Sequence, residues 1–139
     1  MTAFSTNECT RLWPDKPLAI YNHLVIIGIV RIVFHTSASG RSYIEGFLKD
    51  LTPQDRATVL AVFQDIRQYG FSAVGCEFRQ IEGKLWEIKI RTASGGYRFF
   101  YAMLSSEIMY VLHAYKKQSQ KAPKQELEIA RKRLKEVLS

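Results

Sequence analysis

The 139-residue sequence predicts an α+β fold, with two N-terminal helices and a C-terminal helix packed on a small, mostly antiparallel sheet. Three observations carry that prediction. The stretch LWEIKIR, from Leu85 to Arg91, alternates strictly between apolar and polar residues, as a half-buried strand does. Thr52-Pro53 precedes an apolar stripe of Val59, Val62, Phe63, Ile66 and Tyr69 at helical spacing. Two short turns, at Ser94-Gly95-Gly96 and Ser105-Ser106-Glu107, divide the region after Leu85 into an antiparallel meander.

In chain order, Met1 to Pro17 is polar and carries Pro14 and Pro17, so residues 1–17 are expected to form an irregular extension. Residues 18–139 are expected to form one domain, as the length allows. Leu24 to His35 is rich in Val and Ile and reads as a strand. Asn22-His23 is either a turn between two strands or a kink within one.

Tyr43, Ile44, Phe47, Leu48 and Leu51 recur at helical spacing, giving a short first helix. The second runs from its Thr52 cap to Gly70, with Asp55 complementing the positive helix end. Strands follow at Leu85 to Arg91, Tyr97 to Leu104 and Ile108 to Tyr115. A basic connector leads to Pro123, which opens a last helix with Leu127, Ala130, Leu134 and Val137 on its buried side. The expected arrangement puts the helices on one face of the sheet and leaves the charged face of LWEIKIR open.

The net charge is +7 and the pI near 9.5, which points to a polyanionic partner rather than to a fold. Much of the excess lies in the last helix and the connector before it: Lys116 to Ser139 holds eight Lys/Arg against three Glu. Cys9 and Cys76 stand far apart, in no ligand-spaced cluster, so no metal site is expected, and free thiols suit the cytoplasm. No phosphate loop, dinucleotide fingerprint or other cofactor motif occurs, and no cofactor is expected. Leu18 to Phe34 is apolar but interrupted by Asn22, His23 and Arg31, and its clean run is too short to cross a bilayer. It reads as buried strand, so no membrane partner is expected.

The candidate chemistry lies in an interleaving of cations with aromatic rings: Lys84, Lys89, Arg91, Arg98, Lys116, Lys117 and Lys121 among Trp86, Tyr97, Phe99, Phe100, Tyr101, Tyr110 and Tyr115. Cations hold phosphates and rings stack on unpaired bases, so the mixture suits single-stranded RNA. Strand alternation puts Lys89 and Arg91 on one face, away from Trp86. It leaves open which face Arg98 takes, because both sides of YRFFY are aromatic.

The order of these residues resembles a known family. KLWEIKIRTASGGYRFFYAM, followed by VLHAYKKQSQKAPKQELEIARKRL, is similar to the phage-derived branch of the RelE/HigB toxin superfamily, from about Val30 to Leu138. The resemblance implies a toxin of a type II toxin–antitoxin pair: a metal-free endoribonuclease that cleaves mRNA on the ribosome. Its partners would be mRNA, the ribosome and a cognate antitoxin with a helix-turn-helix DNA-binding domain. It further implies Lys89 as the base, Arg98 as the phosphate-stabilising cation and Lys117 as the cation aiding the leaving group. Lys84, Arg91, Tyr101, His113, Lys116 and Lys121 would contact RNA. The last helix lacks the tyrosine that RelE carries, so Tyr101 and His113 are the candidate substitutes, and Glu87 replaces a second strand lysine of RelE. The alternative is a non-catalytic RNA- or protein-binding module on the same fold.

Overall fold

The computed structural model describes residues 29–119 and 121–139. The expectations for the extension, for Asn22-His23 and for the start of the first strand lie outside the described residues. Within them, a five-stranded mixed sheet and three α-helices realise the expected α+β class.

Strand β1 (Arg31–Phe34) is followed by α1 (Tyr43–Lys49) and α2 (Pro53–Tyr69). Both helices begin on side-chain caps: the Ser42 hydroxyl accepts from the Glu45 N–H, and that of Thr52 accepts from the Asp55 N–H. Helix α2 ends at Gly70, whose φ of 62° lies where other residues are strained. A single 3₁₀ turn, Gly70–Ser72, leads into a strand the sequence reading missed, β2 (Cys76–Glu82). Then come β3 (Leu85–Thr92), β4 (Gly95–Ser105), β5 (Ile108–Lys116) and α3 (Lys124–Leu138).

The strand order is β1-β5-β4-β3-β2. All neighbours are antiparallel except β1, which runs parallel to β5 with Arg31 opposite Ile108. The helices do not share one face, as the sequence had suggested. Helices α1 and α2 cover one side through Ile44, Leu48, Val59, Phe63 and Ile66, packed on Ile88, Ile90, Phe99 and Tyr101. Helix α3 covers the other through Ala130, Leu127 and Leu134, packed on Leu85, Phe100, Ala102 and Leu112.

Burying a side chain such as Phe63 or Phe99 contributes roughly 1.5–3 kcal/mol, so both faces supply stability. The charged face is thus closed at the Leu85 end of β3 and open only beyond Glu87. That opening is where the candidate site lies.

Candidate active site

Directly opposed residues on neighbouring strands project to the same face. Across the open end of the sheet the register pairs Glu77 with Lys89, Lys89 with Arg98, and Arg98 with Tyr115. These residues form one row across β2, β3, β4 and β5, and the register answers the question left open by the aromatics of β4: Arg98 shares the face of Lys89. The next row, Cys76, Ile90, Tyr97 and Lys116, belongs to the opposite face.

Glu77, Lys89 and Arg98 of this row line an open cleft of about 670 Å³. Lys89, Arg91, Arg98 and Lys117 all line it, together with Glu77 and the β3–β4 turn. Four predicted site residues therefore converge from two strands and from the chain just after β5. The Lys117 N–H donates to the Gly96 carbonyl (2.8 Å), which holds that lysine against the turn. A side chain at Gly96 would meet Arg98 Nη1 and Lys117 Cδ, both 3.5 Å from where its Cβ would stand. The two cations thus flank one bare backbone position.

Each cation has its own support. Arg98 is 8% exposed, and its Nε lies 3.6 Å from Oε2 of Glu87, which is itself buried. Glu87 thus occupies one edge of the guanidinium and fixes its direction. Lys89 Nζ lies 3.4 Å from Glu77 Oε1, an ion pair whose carboxylate is largely in water. Tyr115 closes the row behind Arg98, its ring stacked on Phe100 at 5.6 Å. Burial and the nearby Glu87 carboxylate push its phenol up to about 12, so it keeps its proton at neutral pH.

The β3–β4 turn is pinned from the other side. Buried Asp55, in the first turn of α2, accepts hydrogen bonds from the Ser94 hydroxyl and from Tyr97 Oη (2.7 Å for the latter). Those bonds hold its carboxyl below the usual carboxylate range, while burial, and after it the bond to Asp55, raises the Tyr97 phenol. Asp55, read from sequence only as a helix-end charge, thus ties the turn to the helix hairpin. The Cys76 thiol, at the cleft wall, is pushed up to about 11 by burial and by neighbouring carboxylates.

The remaining predicted RNA contacts lie elsewhere. Tyr101 is 1% exposed, among Phe71, Phe78 and Trp86 on the α1–α2 face, and burial raises its phenol well above the ordinary value. It is a core residue and reaches neither the cleft nor a substrate. His113 is also buried, at a bulge where Phe100 pairs with His113 and Tyr101 with Val111. Its Nε2 lies 2.6 Å from Glu126 Oε1, and Arg133 Nη1 lies 3.4 Å from its Nδ1. Burial lowers its pKa despite Glu126. Neutral His113, donating from Nε2 and accepting at Nδ1, satisfies both partners, so its place is the anchor of α3.

Lys116 turns to the α1–α2 face, 5.7 Å over the Tyr97 ring. Lys84 sits in the β2–β3 turn, at the far end of β3 from the cleft, and Lys121 lies exposed on the connector before α3. None of these three lines the cleft. Among the described residues, no group of three or more His, Cys, Asp or Glu is placed to hold a metal ion. No helix among them is long and apolar enough to cross a membrane.

Sequence reasoning missed Glu77 and Asp55 as site elements. For Glu77 the cause is β2, whose apolar residues, Phe78 and Ile81, break strand periodicity at a register shift between Gln80 and Glu82. Comparison with known families identifies one match: the model described as Phage derived protein Gp49-like (DUF891) aligns with residues 46–135, which span α2, the meander and most of α3. No curated protein matches the chain.

Proposed function

This chain belongs to the phage-derived Gp49-like family, within the RelE/HigB-like toxin clan, and on that premise we propose that it is the toxin of a type II toxin–antitoxin pair that cleaves mRNA on the ribosome. The observation that supports this reading is the convergence of Lys89, Arg91, Arg98 and Lys117 on one open cleft. Cleavage by transesterification needs cations around a phosphorane, a proton acceptor near the 2′-oxygen and a proton donor near the 5′-oxygen. Arg98, held at one edge by Glu87, offers its remaining N–H groups to a non-bridging phosphate oxygen. Lys117, beside it across Gly96, is suited to the leaving oxygen, and Arg91 to a flanking phosphate. Cytoplasmic location and a helix-turn-helix antitoxin are part of the same proposal.

The decisive experiment incubates the purified protein with ribosomes carrying mRNA and maps the ends. The expected products are a 2′,3′-cyclic phosphate and a 5′-hydroxyl, and Arg98→Ala is expected to abolish them and to relieve growth arrest on induction. Tight ribosome or RNA binding without cleavage at any codon would favour the non-catalytic binding module instead.

A further inference from the structure

Every side chain in the cleft can be asked whether it is able to take a proton from a 2′-hydroxyl. Lys89, its Nζ 3.4 Å from Glu77 Oε1, already serves that carboxylate as a donor. Arg91, Arg98 and Lys117 are cations. Thr92 and Ser94 are neutral hydroxyls, and Ser94 already donates to Asp55. The Cys76 thiol, pushed up to about 11 by burial, holds its proton at neutral pH. Glu77 is the carboxylate among the cleft-lining residues. Its side chain is 74% exposed, so its pairing with Lys89 contributes little to stability, and its oxygens are within reach of a ligand.

Its position also suits the geometry of the reaction. Glu77 stands at one end of the row and Arg98 two strands away, with Lys89 between them. Neighbouring strands lie about 4.8 Å apart, which places a phosphate held by Arg98 roughly a nucleotide sugar's reach from the carboxylate. Attack and departure occur on opposite sides of phosphorus, so acceptor and donor must flank the phosphate cation. Glu77 and Lys117 lie on different sides of Arg98, on β2 and after β5.

We propose that Glu77 is the general base of the cleavage reaction and that Lys89 is its positioning cation, an assignment that rests on the endonuclease reading above. The Glu77 carboxylate takes the 2′-hydroxyl proton as the 2′-oxygen bonds to phosphorus. The bond from phosphorus to the 5′-oxygen breaks with its electron pair, and that oxygen takes a proton from the Lys117 ammonium. The products are the cyclic phosphate and the 5′-hydroxyl, and proton exchange through solvent restores Glu77 and Lys117. No metal, oxidant or further reactant enters.

The test is single-turnover cleavage of mRNA on programmed ribosomes, using the full chain, Glu77→Gln and Glu77→Ala. Glu77→Gln is expected to slow cleavage at saturation by at least about 100-fold, the contribution typical of a positioned base. Its melting temperature is expected to be unchanged and its binding equal or tighter, since the cleft loses a negative charge. Added formate is expected to restore part of the rate to Glu77→Ala but not to Glu77→Gln, a response that a merely structural carboxylate would not give. Cleavage by Glu77→Gln at or above the rate of the unaltered protein overturns the assignment alone and marks the carboxylate as a counter-ion. Absence of cleavage by the unaltered protein overturns the endonuclease reading and this assignment with it.

Discussion

Glu87 and Arg98 face each other diagonally across β3 and β4, with Nε 3.6 Å from Oε2 and both side chains almost wholly removed from water. Removing one member of such a pair leaves a charge without its partner, whereas replacing both by apolar groups is close to neutral. Glu87→Ala is therefore expected to destabilise the fold by about 3 kcal/mol, and Glu87→Met with Arg98→Met to recover most of that loss. Urea unfolding of the double-mutant cycle checks this, and additive losses would show that the two side chains act independently.

Arg98→Lys keeps the charge but loses the planar fork that one carboxylate and one phosphate can share. Stability is expected to change little, while cleavage on ribosomes falls by roughly 100-fold, as when one preorganised donor is removed from a transition state. Parallel melting curves and single-turnover rates separate the two effects. A full-rate lysine variant would remove Arg98 from the phosphate-binding role.

Asp55 links pH to the shape of the cleft. Hydrogen bonds from Ser94 and Tyr97 hold its carboxyl below the unfolded value, which is near 3.8. The folded state thus binds the proton less tightly than the unfolded chain, so the stabilisation is complete above that value and disappears as pH falls through the lower folded one. Asp55→Asn is expected to flatten the acid side of the stability curve below about pH 4, read as urea midpoints between pH 3 and 7.

His113 titrates in the opposite charge sense with the same outcome. Burial lowers its pKa from 6.5, so the neutral ring is preferred in the fold. Its contribution is complete above the unfolded value and is lost as pH falls below it toward the folded one. Protection of the α3 amides, taken relative to intrinsic exchange at each pH, is expected to fall between pH 7.5 and 5.5, with less change in β3 and β4. His113→Ala is expected to cost about 2 kcal/mol and to remove that pH dependence, because Glu126 and Arg133 lose their shared partner.

Much of this architecture was legible in the sequence because local signals agreed with it. The Thr52-Pro53 start, the Gly70 stop and the alternation of LWEIKIR each have a local physical cause, and alternation alone put Lys89 and Arg91 together. The side of Arg98 was illegible for a tertiary reason: α3 covers the face thought open, so β4 is apolar on both sides and has no period to read. The same covering explains His113, which is held under α3, whereas Tyr101 is buried on the other face beneath the helix hairpin. Strand β2 escaped because an edge strand needs few apolar residues, and Glu77, Arg79, Gln80 and Glu82 resemble a loop. With β2 went Glu77, whose place in the cleft is visible only once it is set opposite Lys89.

The strand order also sets a sequence of events in folding. The cleft-forming region, from Gly75 to Lys117, is one uninterrupted meander whose pairings are all between successive strands. The pairing of β1 with β5 instead joins Arg31 to Ile108 across both helices of the hairpin and the meander, and its loop-closure entropy makes it the slow contact. The cleft is therefore expected to form ahead of the edge strand. Substitutions in β1 such as Ile32→Ala should hasten unfolding while leaving the refolding rate of the meander almost unchanged.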